Sequence, residues 1–206
     1  MRTSLLLTGV VAVAVSALVP VAAFGGQPVT QTLTPPPPSF ETCKATGNGT
    51  LCQGSRVESG YGPVPTGIFC GTGASAFEIF DSATGHIQHH AQRFYDANGN
   101  LTRRVFTDDY PGGQWSNPLS GAAVRYTQHQ VTTGVLAVPG DLSTETQTLR
   151  GEVNFVVPGM GAVLLNAGRV VFGPDGSIES QSGPQGLNDY FAGNTGAFDA
   201  LCAALA

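Results

Sequence analysis

Turn-forming clusters recur at nearly even intervals through the middle of this chain, and they restrict its fold more than any other feature. They are Ser82-Ala83-Thr84-Gly85, Asp96-Ala97-Asn98-Gly99-Asn100, Pro111-Gly112-Gly113, Asn117-Pro118-Leu119-Ser120-Gly121, Pro139-Gly140-Asp141, Pro158-Gly159-Met160-Gly161 and Gly173-Pro174-Asp175-Gly176. Asn-Gly and Pro-Asp-Gly supply the positive φ values of tight hairpin turns. The spacing leaves room for short strands and for no long helix, so it predicts a mainly β antiparallel meander. Such a meander closes as a barrel or folds as a sandwich, and the expectation is a single barrel of about eight strands.

The segments between turns carry the matching alternation. In Thr144 to Val157, Leu149, Val153, Phe155 and Val157 share one face, and Thr146, Thr148, Arg150, Glu152 and Asn154 share the other. One apolar face at period two is a half-buried strand. Val163 to Phe172 is apolar on both faces, which predicts a strand covered on its outer side as well. The cover is assigned to a C-terminal helix. Asn194 or Thr195 caps it, and Phe198, Leu201, Cys202 and Leu205 fall on one stripe. Gly85 to Tyr95 fits either a helix capped at Thr84 and stopped at Asn98-Gly99 or a strand; the strand is preferred, because the Asn98-Gly99 turn leads straight into Leu101 to Thr107.

The front of the chain sets its expected compartment. Arg2, an apolar run from Leu5 to Val19 and the small residues Val21-Ala22-Ala23 form a secretory signal spanning residues 1–23, with cleavage near Ala23. The run is shorter than the ~20 residues of a membrane-spanning helix and Pro20 interrupts its end. Residues 24–40 contain Pro35-Pro36-Pro37-Pro38 and read as a stiff or disordered spacer. Residues 41–206 remain as a single domain. The expected location is extracellular, with no membrane span after signal removal. The chain has a net charge of −5 and no basic stripe, which argues against nucleic acid as a partner.

The four cysteines all lie beyond the apolar run. Cys43 and Cys52 flank the flexible loop Gly47-Asn48-Gly49, so they are expected to pair, leaving Cys70 with Cys202. No two stand in the Cys-x-x-Cys spacing of a redox or metal site.

Candidate chemistry is sparse. His86, His89 and His90 cluster, but on a strand His86 and His90 stand ~13 Å apart, too far to share an ion, and His89 points the other way. His129 lies on a different segment. Asp108 and Asp109 face opposite sides and read as solvating a strand end beside Tyr110-Pro111. Arg169, within an apolar strand, needs a carboxylate or an anionic ligand if it points inward; Glu152 is the candidate partner. No nucleophile elbow, phosphate loop, metalloprotease motif or dinucleotide fingerprint occurs. No catalytic residue, metal ligand or cofactor site is therefore assigned.

Phe94-Tyr95-Asp96, Asn117-Pro118, Pro158-Gly159-Met160-Gly161, Ala167-Gly168-Arg169-Val170-Val171-Phe172 and Leu201-Cys202-Ala203-Ala204-Leu205 resemble a group of exported bacterial proteins of unassigned function. The likeness covers most of the mature domain and implies a fold without an activity. More loosely, the layout resembles closed barrels of the allene oxide cyclase, dirigent and lipocalin-like kinds. The functional expectation is a secreted, non-enzymatic barrel holding a small apolar molecule. The alternatives are a cofactor-free isomerase or cyclase using Arg169 and a carboxylate, and an extracellular interaction protein.

Overall fold

The computed structural model describes residues 29–206; the signal segment and its cleavage point lie outside the described residues. The strands are β1 (Thr42–Thr46), β2 (Gly49–Ser59), β3 (Val64–Cys70), β4 (Phe77–Ala83), β5 (His86–Tyr95), β6 (Leu101–Ser116), β7 (Ala123–Leu136), β8 (Glu145–Val157), β9 (Gly161–Phe172) and β10 (Ile178–Ser182). They form one antiparallel sheet in the order β1-β2-β5-β6-β7-β8-β9-β10, with β3 and β4 attached beside β6. The meander is as predicted, but the sheet has ten strands and does not close into a barrel.

The extra strands arise because long strands break at one level. β2 and β3 run in the same direction and pair with β5 and β4 in turn, so each pair of elements is one interrupted strand. β6 passes both breaks on a single edge. It pairs with β5 from Leu101 to Asp109 and with β4 from Gly113 to Ser116. Pro111-Gly112-Gly113, predicted to be a turn, instead lies inside β6 at a register shift between Tyr110 and Gly113. Pro111 has no N–H to give, and here the ladder changes partner, where a missing donor is tolerated. The gap is stitched by Thr84 N–H donating to the Gly112 carbonyl at 2.8 Å and Ala83 N–H donating to the Tyr61 carbonyl at 3.2 Å. At Gly60 a Cβ would lie 2.1 Å from the Ala83 carbonyl oxygen, so the approach of the two broken strands requires glycine.

This line of breaks divides one continuous face of the sheet into two halves. In the first, the face is apolar and covered by two short helices, α1 (Gly186–Phe191) and α2 (Asp199–Leu205), joined through a 3₁₀ turn at Thr195–Phe198. Phe198, Leu201 and Leu205 are fully buried against Trp115, Val124, Val153, Phe155 and Leu164. Tyr190, Phe198, Trp115, Phe155 and Tyr126 form a continuous aromatic row, with successive ring centroids 4.3, 5.9, 4.6 and 4.9 Å apart. Each large side chain there contributes roughly 1.5–3 kcal/mol through burial. The terminal apolar stripe is thus where the periodicity placed it, but it lies on the inner face, where a barrel's interior would be. It does not cover the outer side of β9. With this cover in place, the apolar demand of the first half is met without closure.

Two disulfides, Cys43–Cys52 and Cys70–Cys202, form the pairs expected from loop geometry. The second ties α2 to β3. The end of α2 is also held by the turn after β6, where Asn117 Nδ2 and Ser120 Oγ donate to the Leu205 carbonyl at 3.0 and 3.1 Å.

The second half is covered by the segment from Val29 to Glu41, which is seated on the sheet where a free spacer was expected. Thr34 bridges to Asn100, and Leu101 N–H donates to the Thr34 carbonyl at 2.8 Å. Tyr95 Oη donates to the Pro35 carbonyl at 2.9 Å, and Leu33 packs on a small cluster of Cys52, Tyr95, Leu101 and Leu136. The prolines do favour an extended backbone, but that backbone finds partners: its carbonyls accept from the sheet. Among the described residues, no helix is long and apolar enough to cross a membrane.

Candidate functional site

Strand register brings together a set of polar side chains on the inner face of the second half. β5 contributes His89, Ala91 and Arg93; β6 contributes Arg104, Phe106, Asp108 and Tyr110; β2 contributes Arg56 and Glu58, because His89 pairs with Arg56 and Asp108, and Arg93 with Arg104. Alternation puts each of these on the side facing the N-terminal segment.

Two ion pairs anchor this floor. Glu41, whose side chain is fully buried, accepts from Arg93 Nε at 3.0 Å. Arg104 donates through Nε and Nη2 to Glu145, whose second oxygen also accepts from Gln147 at 2.7 Å. Glu145 reaches Arg104 across Gly134, where a Cβ would lie 1.8 Å from its Oε1. Both guanidinium groups lie over the Phe106 ring, at 5.8 and 5.1 Å from its centre. A pair of this kind adds little net stability against an apolar replacement, although removing one partner is costly.

Between this floor and the covering segment is a cleft of about 380 Å³, lined chiefly by Pro38, Phe40, Arg56, His89, Phe106, Asp108 and Tyr110. His89 Nδ1 lies 2.6 Å from Asp108 Oδ1. Its Nε2 is 3.5 Å from Glu58 Oε2 but has no hydrogen-bond partner. Glu58 is bound in turn by Arg56 Nη2 at 2.8 Å. The Tyr110 ring meets the imidazole edge-on at 6.1 Å. Burial raises the Tyr110 hydroxyl pKa, and the charges of Asp108, Glu58 and Asp81 add to the rise, so it stays a neutral donor.

A second polar group stands at the line of strand breaks. Tyr61 and Tyr126 donate to the two oxygens of Asp81 at 2.6 and 3.0 Å. Burial lifts the Asp81 carboxyl above its ordinary value, and both phenol hydrogen bonds oppose that rise. Burial and then the hydrogen bond to Asp81 push Tyr61 up to about 12, and burial moves Tyr126 in the same direction. This triad closes the aromatic row of the first half with a polar end.

The remaining sequence candidates lie elsewhere. His86 and His90 are on the outer face; His90 Nδ1 is 2.6 Å from Ser55 Oγ. Asp109 is in mid-strand on that face and pairs with His129 directly opposite. Asp108 and Asp109 thus do face opposite sides, yet neither solvates a strand end. Arg169 is exposed and stands opposite Arg150, while Glu152 stands opposite Ala167, so the proposed Arg169–Glu152 pair does not form. Among the described residues, no three His, Cys, Asp or Glu side chains are placed to hold a metal ion. The sequence reading missed Arg56, Glu58, Phe106, Tyr110 and the Tyr61–Asp81–Tyr126 group. No known protein family, curated protein or solved structure matches the chain.

Proposed function

We propose that the protein works outside the cytoplasm as a receptor for a small molecule with an aromatic or otherwise apolar body and a polar group, bound in the cleft of the second half. One observation carries this reading. The rings of Phe40, Phe106 and Tyr110 line the same cleft as the His89–Asp108 pair, between a cover and a floor that leave the space unfilled. A filled interior would favour a surface interaction role, and a wholly apolar one a wholly apolar guest. The charged floor makes the guest amphiphilic. The two disulfides are consistent with an oxidising compartment.

The test is saturation-transfer nuclear magnetic resonance with 2-naphthylacetamide, a neutral aromatic probe, on protein purified with its disulfides intact. Saturable binding is expected, weakened about tenfold or more by Phe40→Ser, as for an aromatic anchor, and unchanged by Val156→Ser on the opposite face. Absence of saturable binding, or binding lost only with Val156→Ser, removes the reading.

A further inference from the structure

Resting on that reading of the cleft, we propose that its guest is a monocarboxylic acid, and that Glu58 occupies the carboxylate position until the guest arrives. Glu58 is held as a bound anion would be. One oxygen lies 2.8 Å from the Arg56 guanidinium and the other 3.5 Å from His89 Nε2, so two nitrogen groups from neighbouring strands converge on a single carboxylate. The two sides of the arrangement differ in rigidity. The His89 side chain is 15% exposed and fixed from behind by Asp108, whereas Arg56 and Glu58 are 50% and 46% exposed at the rim.

An ion pair that exposed contributes little to stability, so separating it costs little. The imidazole nitrogen behind it is better buried and lacks a hydrogen-bond partner, a state that favours exchange for a well-aligned donor–acceptor pair. With Nδ1–H committed to Asp108, a carboxylate reaches Nε2 with one proton shared between them, brought by the acid or carried by the imidazolium. Arg56 supplies the planar donor set that suits a carboxylate and lies over the Phe40 ring at 5.7 Å, beside the apolar wall. A guest whose carboxylate replaces that of Glu58 would place its apolar body between Phe40 and Phe106. Glu58 then swings into solvent, which its exposure permits.

The experiment compares 2-naphthylacetic acid with 2-naphthylacetamide by titration calorimetry on the wild type, Glu58→Gln and Arg56→Met. The acid is expected to bind the wild type about tenfold more tightly than the amide, the usual scale of a charge-assisted hydrogen bond. Glu58→Gln removes the internal competitor and should strengthen acid binding several-fold while leaving the amide unchanged. Arg56→Met should erase the preference. Equal affinity of the wild type for acid and amide overturns this inference and leaves the cleft reading standing. So does a Glu58→Gln protein whose acid affinity is unaltered. A wild type that binds neither probe removes both.

Discussion

The two halves of the sheet are built from the same strands yet are stabilised in different ways. Along the inner face of β7 the side chains run Val124, Tyr126, Gln128, Gln130, Thr132, Gly134 and Leu136. Along β8 they run from Phe155 and Val153 to Gln147 and Glu145. Each strand therefore crosses from an apolar layer in the first half to a mostly polar one in the second, where Leu136 of β7 stands opposite Glu145 of β8. The apolar half is filled by helices and tied covalently through Cys70–Cys202. The polar half is covered by an irregular segment held at separate points and retains a cleft. Period-two alternation decides which residues face inward but not what kind of interior they make. An open sheet can therefore place an apolar core and a polar cleft on one face.

If the contrast is right, the largest stability loss follows from cutting the tie in the apolar half. Loop entropy assigns about 5 kcal/mol to the Cys70–Cys202 link and about 2.7 kcal/mol to Cys43–Cys52. Denaturant unfolding of the paired serine variants should show that order, and equal losses would break the comparison. Next comes the floor of the polar half. Glu145→Gln leaves a partly buried guanidinium without its carboxylate and should cost about 1.5–3 kcal/mol, whereas Arg104→Met combined with Glu145→Leu should be near neutral or stabilising. A double variant as unstable as the single one would show that the pair carries the stability of that half.

The smallest effect is expected at the line of strand breaks. Folded Asp81 keeps its proton to higher pH than the unfolded chain, so its contribution is full below the ordinary value of 3.8 and is lost as pH rises through the raised folded value. Tyr61 behaves in the same sense between 10.0 and about 12. Asp81→Asn should flatten the weakly acidic part of the stability profile and lower the Tyr61 pKa. Unfolding midpoints across pH, together with the ultraviolet absorbance of phenolate, check both.

Much of the fold was legible because its signals are local. The hairpins, the strand from His86 to Tyr95, the terminal stripe of Phe198, Leu201 and Leu205, and the short Cys43–Cys52 loop all depend on neighbours in sequence. Closure was misjudged because it depends on breaks in adjacent strands falling at one level, at Gly60, Thr84 and Pro111. Ser82-Ala83-Thr84-Gly85 and Pro111-Gly112-Gly113 each read as a turn, but the first only interrupts the strand that continues from β4 into β5 and the second lies inside β6. The His89–Asp108 contact was within reach. Pairing centred on Asn98-Gly99 sets His89 opposite Asp108, and although the loop itself differs, a bulge at Thr102 restores that register. The Glu41–Arg93 and Arg104–Glu145 pairs join distant segments, and no local pattern marks them. The same holds for Arg56 and Glu58, whose significance appears only once β2 lies beside β5.

We propose that the polar half is the receptor and the helix-covered half its support. Backbone amide shift mapping during titration with 2-naphthylacetic acid tests it most directly. Saturable changes should cluster around Phe40, Arg56, His89, Phe106 and Tyr110, with Trp115, Phe155 and Phe198 unmoved. Changes centred on the helices or on the outer face would contradict it.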